Sequence, residues 1–336
     1  MLTIDGRTGG GQLLRTALTL AAITGTPFEM TDVRAERPSP GLRPQHLSAV
    51  RAVGSLCGAE VEGATIDSTS LAFRPGAIRP RSRHVDVGTA GSVTLLFDAV
   101  LPLAVAVDRP VHLTATGGTD VRWSPTEAYL RLVKVTLLAR FGLAAEVVLG
   151  RTGFYPVGEG RARLVVEPSS LDPIVVPERG ALERVEVFSK ASEGLAASEV
   201  ADRQADRAIA MLGAAGLPVD APEVDYVDSA SPGSSLLLRA VYAHSVAGFD
   251  ALGARGKPSE RVAEEAFDRF LAFHRGPGSV DEHLADQLLV FLALAGGRYR
   301  APRMTAHVAS NAAVLSRFGI EVRLDQAADG SVLLEA

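Results

Sequence analysis

Apolar and polar positions along this chain follow helical and strand periods whose order repeats. From Leu13 to Ile23 the apolar residues read as one helix, opened by Gly9-Gly10-Gly11-Gln12 and closed by Gly25. A strand-like stretch covers Pro27 to Arg34, and a second amphipathic helix covers Pro44 to Cys57. Gly58 ends that helix and Ala59-Glu60-Val61-Glu62 begins a strand. The order then returns. Gly88-Thr89-Ala90-Gly91-Ser92 opens the apolar run Val93 to Val105, followed by a strand at Val111 to Thr116 and a helix at Pro125 to Phe141. Gly142 and Leu143 to Val147 close this unit, and strand pairs such as Ser70 to Arg74 and His84 to Val87 lie between units. A third unit has a helix at Asp281 to Ala295, a strand at Arg298 to Thr305 and a helix at Ala309 to Phe318. Gly319 and Ile320-Glu321-Val322 end it, and Arg317-Phe318-Gly319 echoes Arg140-Phe141-Gly142.

The chain between about Arg179 and Gly278 does not follow this order. It reads as a strand at Glu183 to Phe188, a helix at Gly194 to Leu212, and strands at Val224 to Val227, Ser234 to Val241 and His244 to Phe249. A helix over Val262 to His274 follows, with Ser259 as its N-cap. Loop-forming residues bound the segment, Glu178-Arg179-Gly180 on one side and Arg275-Gly276-Pro277-Gly278 on the other. The expected fold is α/β of the α+β type. Three repeated βαβα-like units form a large domain over residues 1–179 and 279–336, and residues 180–278 form a smaller inserted α/β domain.

Composition narrows the class. With 336 residues, 47% apolar and 22% charged, the chain has material for more than one core and is not of disordered type. No apolar run reaches the ~18 residues of a membrane span, and the start lacks a signal-peptide layout, so a cytoplasmic protein without membrane partners is expected. The single cysteine, Cys57, excludes an intrachain disulfide and a cysteine-cluster metal site. A net charge of −5 argues against a general nucleic-acid coat but leaves room for a local basic groove. Among 34 basic residues only Lys134, Lys190 and Lys257 are lysines, so an arginine alone carries little information.

Four places could carry chemistry. Gly9-Gly10-Gly11 before a helix can set backbone N–H groups and the positive helix end against a phosphate, although neither a Walker A loop nor a GxGxxG fingerprint is present. The loop from Arg34 to His46 holds three arginines and three prolines, a stiff frame for fork-shaped donors; a solvated turn is the other reading. Arg74, Arg79, Arg81 and Arg83 read as a surface loop that could extend a basic track. His307 follows Arg303-Met304-Thr305 and precedes a helix, a junction from which imidazole can act as nucleophile or general base. No HExxH or GxSxG spacing occurs.

Several separated motifs together resemble the RNA 3′-terminal phosphate cyclases. They are Gly9-Gly10-Gly11-Gln12-Leu13-Leu14-Arg15, Arg34-Ala35-x-Arg37 with Pro40-Gly41-Leu42 and Gln45-His46-Leu47, Gly117-Gly118-Thr119-Asp120, Gly153-Phe154-Tyr155-Pro156, Glu178-Arg179-Gly180, Leu284-Ala285-Asp286-Gln287-Leu288 and His307-x-x-x-Asn311. The resemblance spans nearly the whole chain in order. It implies an enzyme that closes an RNA 3′-phosphate end to a 2′,3′-cyclic phosphate, with ATP as co-substrate and a divalent cation, Mg or Mn. A histidine takes AMP from ATP, AMP passes to the RNA 3′-phosphate, and the 2′-OH displaces it. His307 falls on the nucleophile's position. Gly10, Gly11, Gln12, Arg15, Arg34, Arg37, Gln45, His46, His283, Asp286 and Gln287 fall on positions of the phosphate and nucleotide site.

The chain departs from the pattern in three places. Family members carry a glutamate near the first glycines that helps to hold the metal, whereas here Thr8 precedes Gly9. Asp98 stands where the family has a neutral glutamine, and is a candidate to take over metal binding, with an arginine-paired or solvated aspartate as the other reading. His283 replaces a more usual aromatic beside the adenine. A non-catalytic relative that binds RNA or ribosome-assembly partners is the alternative function, and the presence of His307 favours the enzyme. An enolpyruvyl transferase built on similar units is a third reading, which the His307 motif disfavours.

Overall fold

In the computed structural model the described residues are 1–7 and 9–336. The first sheet holds β1 (Leu2–Asp5), β2 (Phe28–Thr31), β3 (Glu60–Glu62) and β4 (Leu71–Arg74) in the order β1-β2-β4-β3. Its first pair is parallel and the other two are antiparallel. Helices α1 (Gly11–Thr24) and α2 (Pro44–Cys57) connect these strands. Along α1 the residues Leu13, Leu14, Ala17, Leu18, Leu20 and Ala21 are all buried, which anchors it as a central helix. Gly25 (φ 69°) ends it in the left-handed conformation that glycine accepts without a Cβ clash.

The second sheet repeats that arrangement with β5 (Arg83–Asp86), β6 (Val111–Gly117), β7 (Ala145–Arg151) and β8 (Gly160–Val166) in the order β5-β6-β8-β7. Again the first pair is parallel and the rest antiparallel. Helix α3 (Val93–Val100) runs on as a 3-10 turn over Leu101–Ala106, so the expected single helix to Val105 tightens at its end. The helix expected at Pro125 to Phe141 divides into α4 (Glu127–Tyr129), a π-helical stretch Leu130–Val135 and α5 (Thr136–Ala139).

After β9 (Ile174–Val176) the chain builds a separate layer. Strands β10 (Leu182–Ser192), β11 (Glu223–Val227), β12 (Ser234–Tyr242) and β13 (Val246–Leu252) lie in the order β11-β10-β12-β13, with α6 (Val200–Ala214) and α7 (Ser259–Arg275) packed on them. Residues of this layer, Val187, Leu236, Leu238, Phe249, Phe267 and Phe270 among them, make a hydrophobic cluster of their own. Bonds from Arg203 to Glu260 and from Arg207 to Glu264 tie α6 to α7. Ser259 is the first residue of α7 and Pro258 the N-cap, so the expected serine cap is corrected by one position; proline's fixed φ presets the entry.

The chain then returns through α8 (Glu282–Gln287), α9 (Leu289–Ala295), β14 (Gly297–Ala301), α10 (Ala306–Arg317), β15 (Arg323–Gln326) and β16 (Val332–Glu335). The last sheet has the order β15-β16-β14-β9, with β9 and β14 parallel and the other pairs antiparallel. Three differences from the sequence reading matter here. The single helix expected at Asp281 to Ala295 loosens at Leu288, yet Leu288 N–H still bonds Leu284 O and Leu292 N–H still bonds Leu288 O. Helix α10 begins at Ala306 and not at Ala309, because the Thr305 hydroxyl accepts from Val308 N–H at 3.1 Å and caps it early. Ile320-Glu321-Val322 stays outside the sheet, since pairing with β16 starts at Arg323. Among the described residues no helix is long and apolar enough to cross a membrane.

A buried carboxylate joins the two hydrophobic clusters. Asp281 accepts from the Tyr129 hydroxyl (2.7 Å), from His283 N–H (3.0 Å) and Leu284 N–H (2.9 Å) as the cap of α8, and from Gly248 N–H of β13 (3.1 Å). Gly248 is required there, because a Cβ would stand 2.7 Å from the Tyr129 ring. Arg179 adds a second tie, donating to the carbonyls of Phe273, His274 and Gly278. Asp281→Ala removes a cap and strands buried donors. It should lower stability by about 2–4 kcal/mol in urea denaturation, and an unchanged midpoint would deny the carboxylate this role.

Candidate active site

Helix α1 and helices α3, α8, α9 and α10 line a narrow cleft. Gln12, Arg15, Thr16 and Thr19 line it from α1, Asp98 from α3, Asp286 and Gln287 from α8, Val290 and Phe291 from α9, and Asn311 from α10. Thr16 donates to Asn311 Oδ1 at 3.1 Å and Gln12 Nε2 to Ser310 Oγ at 3.4 Å, so α1 and α10 are bonded along one wall. Two buried polar atoms of this lining, Arg15 Nε and Gln287 Oε1, have no hydrogen-bond partner. Such atoms in a lined cleft suit a polar ligand.

His307 stands at the rim in the first turn of α10, its side chain 52% exposed. Its Nδ1 lies 3.6 Å from Asp286 Oδ2, beyond hydrogen-bond length but within ion-pair reach. Asn311 Nδ2 donates to the Asp286 carbonyl at 3.4 Å, which ties α8 to α10 beneath the imidazole. The motif His307-x-x-x-Asn311 is therefore one helical turn with an exposed ring and a buried amide.

A shallow crease beside it is lined by Gly6, Gly10, Gly11, Arg34 and His46 among others. Gly11 lies between Arg15 of the cleft and His46 of this second surface. A Cβ there would sit 2.7 Å from His46 Nε2 and 3.0 Å from Arg15 Nη1, so only glycine lets both side chains approach. Arg34 (φ 56°) folds back to donate from Nη1 to Gly41 O at 2.8 Å. Burial, with Arg43 and Arg37 nearby, lowers its pKa. Arg37 is exposed, with Nη2 3.5 Å from where a Gly10 Cβ would stand. Burial also lowers the Arg15 pKa, against the raising effect of Asp98 and Asp286.

Not every expected residue converges. Gln45 accepts from Ser92 N–H at 3.5 Å and so braces the Gly88–Ser92 loop. His283 is exposed on α8 and does not line the cleft. Asp98 turns its carboxylate to Lys134, which bonds Oδ1, and to Arg15, whose Nε is 3.8 Å from Oδ2. Thr8, at the position where the resemblance leads one to expect a glutamate, lies outside the described residues. Among the described residues no group of three His, Cys, Asp or Glu side chains is placed to hold a metal. The outer arginines serve the surface, with Arg74 on Glu62 and Arg83 on Ser55. Sequence reasoning missed Lys134, whose only signal was a rare lysine inside the apolar stretch Leu130–Val135.

His46 is a buried neutral donor. Its Nδ1 accepts from Arg43 N–H at 3.0 Å, which leaves the proton of the neutral ring on Nε2, facing Gly11. Burial, with the charges of Arg34, Arg15 and Arg43, pulls its pKa from 6.5 down to about 3. The unfolded chain therefore takes this proton first as pH falls, so stability drains from about 6.5 downward toward about 3. At pH 5 the loss from His46 is about 2 kcal/mol. His46→Asn keeps an acceptor for Arg43 N–H and should lack this slope in denaturation curves between about pH 7 and 5. Curves that run parallel for both proteins would exclude the effect.

The family described as "RNA 3'-terminal phosphate cyclase" matches residues 7–324 of the chain. An RNA 3'-terminal phosphate cyclase of Halobacterium salinarum is 44% identical, over 100% of both chains. One of Methylococcus capsulatus is 42% identical over 99% of this chain and 96% of its own. The solved enolpyruvyl transferase NikO of Streptomyces tendae covers 99% of this chain and 47% of its own at 12% identity, but its TM-score of 0.37 is too low to bear on fold or function. The match along nearly the full length, with relatives above two-fifths identity, places this chain in the RNA 3′-terminal phosphate cyclase family.

Proposed function

We propose that the chain uses ATP to convert an RNA 3′-terminal phosphate to a 2′,3′-cyclic phosphate through AMP carried on His307. The observation that carries this reading is the pairing of His307 with Asp286 at the rim of the arginine-lined cleft. With Nδ1 turned to the carboxylate, Nε2 is the nitrogen left for attack on the α-phosphorus of ATP. The bond to the β-phosphate breaks and pyrophosphate leaves. An oxygen of the RNA 3′-phosphate then displaces His307 from the AMP phosphorus. Finally the 2′-OH attacks the RNA phosphorus, losing its proton, and AMP departs. Arg15, Gln12 and the Nε2–H of His46 would hold phosphate oxygens, and the positive end of α10 favours an anion beside His307. Arg34 and Arg37 would meet the RNA phosphate.

Both cleft carboxylates, Asp98 and Asp286, already face cationic or imidazole nitrogens. A divalent ion, which would screen charge on the triphosphate, would therefore take most of its ligands from phosphate oxygens and water. Asp98 serves as the partner of Arg15 and Lys134 in this reading. A non-catalytic RNA-binding relative has no use for a nucleophile aligned by a carboxylate.

The domain reading follows the same lines. Three sheets with one strand order and one pairing pattern support three repeated units in residues 1–179 and 279–336, and the separate cluster of residues 182–273 supports an inserted domain within 180–278.

Two measurements test the reaction. Incubated with α-labelled ATP and a divalent ion, the protein should take up acid-labile AMP, and His307→Ala should fold but take up none; label on that variant would exclude His307. Arg37→Ala should slow AMP transfer to a 3′-phosphate RNA about ten- to a hundred-fold while leaving Tm unchanged, as expected for losing a charge-assisted contact of about 1.5–3 kcal/mol. A variant as fast as wild type would return the Arg34–His46 loop to a surface turn.

A further inference from the structure

Lys134 is the one cleft neighbour whose presence the proposed chemistry leaves unexplained. Its side chain is 1% exposed and its ammonium lies 5.4 Å from the centre of the Phe291 ring. It rises from the π-helical stretch Leu130–Val135, where Leu130, Val133 and Val135 are also buried. Burying an ammonium is costly unless a countercharge meets it, and Asp98 Oδ1 does so. Asp98 lines the cleft and Lys134 does not. The charged route from Lys134 to the cleft is its contact with Asp98.

The second oxygen of Asp98 shows what is at stake. Oδ2 stands 3.8 Å from Arg15 Nε, and that nitrogen has no hydrogen-bond partner. A free carboxylate beside a guanidinium closes into a two-bond fork. Here it does not, because the other oxygen is held by Lys134. With one Asp98 oxygen engaged by Lys134, Arg15 Nε stays without a hydrogen-bond partner and open to an anion.

We infer that Lys134 is a positioning residue for polyphosphate. By engaging Asp98 it keeps that carboxylate from closing on Arg15, so that the guanidinium stays in the cleft for the phosphates of ATP; this rests on the nucleotide site proposed above. Lys134→Met frees Asp98 to capture Arg15, whereas Asp98→Asn removes the competitor itself. The two substitutions thus act in opposite directions on anion binding, although each breaks the same buried pair.

The test is calorimetric binding of inorganic tripolyphosphate to the full chain at fixed ionic strength, with AMP loading of the wild type measured alongside. Lys134→Met should weaken tripolyphosphate binding about tenfold, Asp98→Asn should tighten it about threefold, and the double variant should recover most of the Lys134→Met loss. A pair that only held the fold would give weaker binding in both single variants, in step with their lowered Tm. Wild-type affinity in Lys134→Met, or weakened binding in Asp98→Asn, overturns the inference. Where Lys134→Met does not fold, the sign of the Asp98→Asn change decides alone. Tripolyphosphate binding that follows the expected pattern in a protein that takes up no AMP would overturn the proposed reaction and leave the role of Lys134 standing. A wild type that binds no tripolyphosphate would overturn the role of Lys134.

Discussion

A guanidinium cannot be buried without countercharge, and the cleft is arranged around that constraint at Arg15. Its two acidic neighbours, Asp98 and Asp286, are the groups that raise its pKa against the lowering effect of burial. Each of these acids then needs a partner of its own. Asp98 takes Lys134, and Asp286 takes the His307 ring. One buried cation thus sets the positions of a second cation, two carboxylates and the candidate nucleophile, drawn from four separate helical segments.

The same logic of satisfied buried polarity joins the parts of the molecule. The two hydrophobic clusters do not merge, so the polar contacts between them must be specific. Asp281 gathers a hydroxyl and three backbone N–H groups from both sides, and Asp120 accepts from Ser235 at 2.9 Å. Arg179 crosses over to three carbonyls and lies on the Tyr242 and Phe273 rings. Asp120 and Arg179 belong to motifs that the resemblance singled out, Gly117-Gly118-Thr119-Asp120 and Glu178-Arg179-Gly180. In this structure they act at the joint between clusters and not at the cleft.

Much of the fold was legible in the residues. The amphipathic runs Leu13–Ile23 and Pro44–Cys57 became α1 and α2 nearly to the residue, because long apolar periodicity with glycine stops leaves few alternatives. The strands β8, β9 and β16 were not anticipated. Each depends on a distant partner, β8 on β6 and β7, β9 on β14, and β16 on β14 and β15, so their identity comes from pairing and not from local pattern. The early start of α10 turned on one hydroxyl bond, from Val308 N–H to Thr305.

By itself the sequence determined which residue types were available and where the helical runs lay, since periodicity, glycine stops and the spacing of His307 and Asn311 are local properties of a chain. The resemblance carried by its motifs also placed Arg15, Arg34, Arg37 and His46 in one phosphate and nucleotide site. Only the tertiary structure decided the charge state and orientation of that group. Whether Asp98 is a free ligand or a neutralised one depends on Lys134, 36 positions away in the chain. Whether His46 is a cation or a neutral donor depends on burial and on arginines from helix α1 and from the Arg34–His46 segment. Coulomb energy and desolvation depend on distance through space, which pattern along a chain does not encode.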